Sequence, residues 1–179
     1  LRPRGEDGAV YHFDEVINPE IHDDLDEGLW SAEEIDGFIS ELDRMTKNPG
    51  NSKKRLSDIW AGIGVFQRHR GNKDGLMDSS IDKSLDLNPD NPIAMNCRME
   101  YLWNRHPQQF LPGKISRFKE QLIEIEKLIN GLLKNKGTSN SDKSDLKERH
   151  KKCLEVLSAD EENGDSWKLK LQSEYDINL

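Results

Sequence analysis

One stretch of the chain constrains its fold more than any other: residues 57–91, "SDIWAGIGVFQRHRGNKDGLMDSSIDKSLDLNPDN". The stretch begins with apolar residues at helical spacing, breaks at "RGNKDG", becomes apolar again at helical spacing and stops at "NPDN". Gly62 and Gly64 lie inside the first apolar segment, where each costs about 1 kcal/mol relative to alanine. Because such glycines commonly let another helix approach closely, the stretch predicts two helices that pack together across a tight turn.

A nucleotide-binding loop is the alternative interpretation of the same glycines. Such a loop lies between a strand and a helix and presents backbone N–H groups to phosphate. Here Gly62 and Gly64 lie inside a helical pattern, no strand precedes them, and no Lys-Ser or Lys-Thr pair follows. The pattern therefore favours a helical hairpin, and no cofactor is expected.

Helical spacing of apolar residues also extends over most of the remaining chain. Ser31 and Glu34 have the spacing of a capping box at a helix start, and residues 114–134 carry apolar positions alternately three and four residues apart. Ser144 is a candidate N-cap for a later helix, and "WKLKLQSEYDI" predicts a short helix at 167–177. No alternating apolar and polar run bounded by hairpin turns is present, so we expect an all-α fold.

The charges divide the chain into two parts. Residues 5–43 contain 14 Asp and Glu and no Lys or Arg, whereas residues 44–179 contain 24 Lys and Arg against 20 Asp and Glu. We therefore expect an acidic N-terminal arm over 1–30 and a helical array over 31–179, with a polar loop at 134–145. The array lacks the strongly basic face that nucleic acid requires, and no segment has the length and apolarity of a membrane span.

The stretch 57–91 resembles one unit of the tetratricopeptide-repeat family, an antiparallel helix pair. Trp60 begins "WAGIG", with Ile63-Gly64 at the Leu-Gly position of the family and Phe66 near its aromatic position. Gly71-Asn72 corresponds to the family's Gly-Asp turn, and "KSLDLNPDN" is close to its usual "KALELNPDN". One extra residue lies between Gly71 and Pro89, so we expect a bulge in the second helix or a longer turn.

This resemblance implies a right-handed superhelical array of hairpins whose first helices line a concave surface for a protein or peptide partner. It implies a scaffold or adaptor within a larger protein or complex, with no catalysis of its own. The positions that it assigns to the concave surface are Asp58, Ala61, Val65, Arg68, Ile93, Asn96, Cys97 and Glu100.

A second resemblance concerns "LDLNPDNPIAMNCRMEYL", which is similar to the repeats of protein prenyltransferase alpha subunits. Asn96 and Arg98 match positions of the family signature, whereas Met95 replaces its tryptophan and Met99 its second arginine. The alternative function that this similarity implies is a non-catalytic alpha-type or regulatory subunit of an enzyme such as a prenyltransferase.

The residue types that carry catalysis or metal binding are scattered along the sequence. Cys97 and Cys153 lie in apolar helical contexts, which favours two buried thiols in a reducing compartment over a disulfide. No CxxC is present and the five histidines are dispersed, which argues against a zinc site. No nucleophile pattern is recognisable, so no enzymatic activity is expected. The first residues lack the apolar core of a signal peptide, so an intracellular, cytoplasmic location is expected.

Overall fold

The structure is a computed structural model, and it describes residues 28, 30–105, 115–136, 138 and 140–158. These residues form helices and turns with no β-strand, as the sequence predicts. The six α-helices are α1 (Ala32–Thr46), α2 (Lys53–His69), α3 (Leu76–Leu87), α4 (Pro92–Arg105), α5 (Ile115–Lys134) and α6 (Asn140–Ser158). Most of the predicted acidic arm and the helix predicted at 167–177 lie outside the described residues.

The chain divides into two compact units, Leu1–Cys97 and Arg98–Leu179. We call them the first unit and the second unit. Their boundary falls inside α4, so the first turns of that helix belong to the first unit and its last turns to the second. The sequence predicted a single array over 31–179 and gave no sign of this division.

Helix α1 begins at the capping box that the sequence predicts. The Ser31 hydroxyl accepts a hydrogen bond from the Glu34 backbone N–H at 3.3 Å, and the Glu34 carboxylate accepts one from the Ser31 backbone N–H at 2.9 Å. This hydrogen bond lowers the pKa of Glu34 below its ordinary value. The reciprocal pair satisfies two backbone donors that a helix start otherwise leaves without an intrahelical partner.

Helices α1 and α2 pack antiparallel through aromatic rings. Phe38 lies 4.9 Å from Phe66 between ring centroids, and Trp30 meets Phe38 edge to face at 5.5 Å. Near the end of α2, the Arg70 guanidinium donates to both carboxylate oxygens of Asp36, at 2.8 and 2.9 Å. The rings supply most of the stabilisation, because an exposed ion pair contributes little to stability.

Helices α2 and α3 form the antiparallel hairpin that the opening stretch predicts. Ser57 near the start of α2 contacts Ser84 near the end of α3, and Gln67 near the end of α2 accepts a hydrogen bond from Ser80. Midway between these contacts, a Cβ atom added to Gly64 would lie 2.8 Å from Cγ1 of Ile81. Gly64 therefore lies where the helices approach each other too closely for a larger side chain.

The turn between α2 and α3 contains a short 3₁₀ segment and two non-glycine residues at positive φ. Residues Lys73–Gly75 form a short 3₁₀ turn ahead of α3, so the helix itself carries no bulge. Asn72 and Asp74 have φ angles of 45° and 57°, in the left-handed region that asparagine and aspartate tolerate better than most residues. The Asn72 side-chain oxygen accepts from the Met77 backbone N–H at 2.9 Å, and its amide donates to Asp78 at 3.0 Å. Asn72 thereby performs the capping that Gly75 at the helix start cannot.

Replacing Asn72 by alanine should lower the free energy of unfolding by about 1–2 kcal/mol, through loss of this capping bond and strain at positive φ. Asp74→Gly is the matched control, because Asp74 is also left-handed but its side chain is exposed and caps nothing. Urea unfolding should show Asp74→Gly within about 1 kcal/mol of the parent chain. Equal losses in the two variants would contradict the capping role.

The second unit contains the antiparallel pair α5 and α6. Its core on α5 is the predicted apolar stripe, and the buried residues are Phe118, Leu122, Ile125, Ile129 and Leu132. Cys153 of α6 donates its S–H to the Leu122 carbonyl at 3.2 Å, and His150 lies 3.1 Å from the Glu126 carboxylate.

The last turns of α4 contact both of these helices through charged side chains. Arg98 donates to Glu124 of α5 at 2.8 Å. Arg149 of α6 donates to Glu100 at 2.5 Å, and its guanidinium lies 5.6 Å from the centroid of the Trp103 ring. All five of these side chains are at least partly shielded from solvent, so the contacts are screened less by salt than those of exposed pairs.

The predicted start of the last described helix is wrong. Ser144 lies inside α6, which already begins at Asn140. The prediction placed the cap next to the first apolar position, Leu146. The helix instead continues upstream for about another turn and a half, over residues that are polar on every side.

Candidate functional site

The eight residues assigned to a partner-binding surface lie on two helices. Asp58, Ala61, Val65 and Arg68 belong to α2, whereas α4 carries Ile93, Asn96, Cys97 and Glu100. Glu100 falls in the second unit and the other seven in the first.

Exposure to solvent separates these eight residues into two groups. Ala61, Val65 and Cys97 are buried, with 0%, 4% and 2% of their surface exposed, and they contribute to apolar packing. Asn96 is exposed, while the four that are partly exposed are Asp58, Arg68, Ile93 and Glu100. Glu100 pairs with Arg149. The side chains of the first unit that a partner could reach are therefore Asp58, Arg68, Ile93 and Asn96.

Asn91 connects α2 to the start of α4, and sequence reasoning missed it. Its side chain is fully buried. The side-chain oxygen accepts from the backbone N–H groups of Ile93 at 3.0 Å and Ala94 at 3.2 Å. The side-chain amide donates to Ser57 and to Asp58, both at 2.9 Å. Asparagine ahead of a helix-starting proline is a recognisable N-cap signal, but the link to α2 depends on tertiary geometry.

Two buried serines beside Asn91 connect the start of α2 to the end of α3. The Ser57 hydroxyl donates to the Ser84 carbonyl at 2.9 Å, and the Ser84 hydroxyl donates to the Ser57 carbonyl at 2.8 Å. We call Ser57, Asp58, Ser84 and Asn91 the Asn91 corner. Both protons of the Asn91 amide and both serine hydroxyls have acceptors, which rigidifies a buried polar network. The corner thus holds the Asp58 carboxylate in one position.

The Asp58 carboxylate is partly withdrawn from water. Burial raises its pKa above the ordinary value of 3.8, while the nearby positive charges of Lys54 and Arg55 and the hydrogen bond from Asn91 act in the opposite direction. Among the described residues, no cation lies within the 4.0 Å of an ion pair with this carboxylate. Asp58 is therefore a partly desolvated charge to which the described residues bring no counter-ion in direct contact.

Asp58→Asn should stabilise the first unit at pH 7. Because the folded-state pKa of Asp58 is raised, its favourable contribution to stability is complete below the ordinary value and is lost as pH rises through the folded-state pKa. Asparagine keeps an oxygen acceptor for Asn91 and carries no charge. The urea midpoint should be higher for the variant at pH 7, and the two midpoints should be nearly equal at pH 3. The difference in free energy of unfolding at pH 7 should be below about 1 kcal/mol, because the carboxylate is only partly desolvated. A less stable variant at pH 7 would contradict the direction of this shift.

The two cysteines lack the environment of a catalytic nucleophile. Burial, together with the negative charge of Glu126, raises the pKa of the Cys153 thiol to about 12, so the thiol is protonated at neutral pH. A nucleophilic cysteine requires the thiolate. Cys97 is likewise buried, and neither cysteine forms a disulfide.

The described residues contain no group of three or more His, Cys, Asp and Glu side chains that could hold a metal ion. None of the helices in the described ranges is long and apolar enough to cross a membrane. No protein-family model, curated protein or solved structure matches this chain.

Proposed function

We propose that this chain is a protein-interaction module, a right-handed array of helical hairpins similar to tetratricopeptide repeats, without catalysis of its own. The observation that carries the proposal is the α2–α3 hairpin, which closes tightly at Gly64 and Ile81 and ends in four residues before the next helix begins. A hairpin of this kind is the structural unit of arrays that bind extended peptides or partner helices along their first helices.

The accessible side chains of α2 and α4 are of the kind that such a surface uses. Asp58 supplies a charge in a fixed position, Ile93 supplies a partly exposed apolar side chain, and Asn96 supplies an exposed amide. Buried Ala61 and Val65 are more suited to shaping the helix face than to contacting a partner. The proposed partner is a protein or peptide, and the complex is larger than this chain.

Asn96→Arg tests this function, because it places a long charged side chain on the proposed surface at an exposed position. Glu33→Arg, an exposed substitution on α1, serves as the control. The tagged variants and the parent chain are purified from the native source, and the associated proteins are quantified by mass spectrometry. Loss of a stoichiometric partner from Asn96→Arg alone supports the proposal, whereas equal recovery from all three chains contradicts this surface.

The identity of the partner also distinguishes the alternative function. The similarity at 85–102 to prenyltransferase alpha subunits supports an alpha-type or regulatory subunit. A catalytic subunit at one-to-one stoichiometry, with activity that depends on this chain, would favour that alternative over a scaffold or adaptor.

A further inference from the structure

Among the described residues, the one hydrogen bond that the Asp58 side chain makes does not require a charged acceptor. Its hydrogen bond to the fully buried Asn91 amide needs an oxygen acceptor, which asparagine also supplies. Its carboxylate is partly buried, and removing a charge from water is unfavourable unless a partner of opposite charge compensates. The described residues supply no such partner in direct contact.

The position of the carboxylate is fixed in the way that a binding site requires. The Asn91 side chain is held by four hydrogen bonds, two from backbone N–H groups of α4 and two to side chains of α2. One carboxylate oxygen of Asp58 accepts from it, and no described donor is bonded to the other. A preorganised acceptor binds more tightly because little conformational entropy is lost when the ligand arrives.

We propose that Asp58 binds a lysine or arginine side chain of the protein partner, with the Asn91 corner holding the carboxylate in place. The proposal rests on the proposed function and adds the chemistry of the partner. A cation at this position forms a charge-assisted hydrogen bond with the carboxylate and supplies the missing counter-ion. The partner segment then places a basic residue beside the start of α4, where Ile93 and Asn96 are within the next two turns.

Selection of random peptides displayed on phage against the immobilised full chain tests this proposal. We expect the selected peptides to share a lysine or arginine at one fixed position. Synthetic versions should bind Asp58→Asn about tenfold more weakly than the parent chain, the loss typical of a charge-assisted hydrogen bond. Asp86→Asn should bind within about twofold of the parent, because it removes the same charge from an exposed position on α3.

A double-mutant cycle separates direct contact from an indirect effect on the fold. Replacing the basic residue of the peptide by norleucine or citrulline should weaken binding to the parent chain about tenfold and have little further effect on Asp58→Asn. Selected peptides without a shared basic position, or equal affinities for the parent and Asp58→Asn, would overturn the role of Asp58 and leave the proposed function intact. Failure to select any peptide would overturn both.

Discussion

Gly64→Leu will lower the free energy of unfolding of the first unit by about 1–3 kcal/mol. The reason is the contact with α3, where even a Cβ atom on residue 64 would overlap the buried Ile81 side chain. Leucine adds three further carbons in the same space. The better helix propensity of leucine stabilises the folded state by less than about 1 kcal/mol, so overpacking determines the sign of the change in stability. Urea unfolding followed by circular dichroism measures the effect.

Glycine-to-alanine substitutions at two helical positions make this prediction specific. Gly64→Ala should destabilise, since its Cβ would lie 2.8 Å from Cγ1 of Ile81. Gly37→Ala in α1 should stabilise by up to about 1 kcal/mol, since nothing lies within 4 Å of the added Cβ and only the helix propensity changes. Ile81→Val should partly rescue Gly64→Ala, because it shortens the side chain that Cβ would overlap. Stabilisation by both alanines would show that α2 and α3 are farther apart than described.

Asn91→Ala will destabilise the first unit by about 2–4 kcal/mol. The variant loses the cap of α4, worth about 1 kcal/mol, and the two hydrogen bonds that the amide donates to Ser57 and Asp58 inside a buried network. The alanine side chain also leaves unfilled space where the fully buried asparagine was. Denaturant titration gives the loss directly, and hydrogen exchange over 93–97 reports whether the start of α4 opens first.

The variant Asn91→Ser separates the loss of the helix cap from the loss of the hydrogen bonds to α2. Serine is a good N-cap, but it has no amide group to reach α2, so this variant should recover about 1 kcal/mol of the loss in Asn91→Ala. Asn96→Ala, at an exposed position of the same helix, should change stability by less than about 0.5 kcal/mol. If Asn91→Ser were as stable as the parent chain, the bonds from the Asn91 amide to α2 would contribute nothing.

Local signals in the sequence were sufficient for most of the helices. The Ser31 capping box, the break at "GNKDG" and the apolar stripe of α5 each involve residues a few positions apart, and the structure has each of them as predicted. The predicted helix start at Ser144 is wrong because several polar residues of similar capping ability precede Leu146. Where neighbouring residues all suit a helix start, the apolar pattern no longer decides between them.

The candidate site was less predictable because it depends on contacts between distant parts of the chain. Spacing correctly grouped Asp58, Ala61 and Val65 on one side of a helix, but it contains no information about what covers that side, and two of the three are buried. Asn91 was overlooked for a related reason. Its residue type indicated a helix cap, while its bonds to residues 33 and 34 positions earlier depend on where the fold places the start of α2.

The two polar contacts of the α2–α3 hairpin have a consequence for changes in chain length. Ser57 with Ser84 near the open end, and Gln67 with Ser80 near the turn, fix how far each helix is shifted along the other. An insertion within either helix would rotate one pair out of contact by about 100° per residue. Residues 71–75 lie beyond both pairs, in the turn between the two helices. Insertions and deletions in this hairpin should therefore be tolerated at the turn and rejected on either side of it.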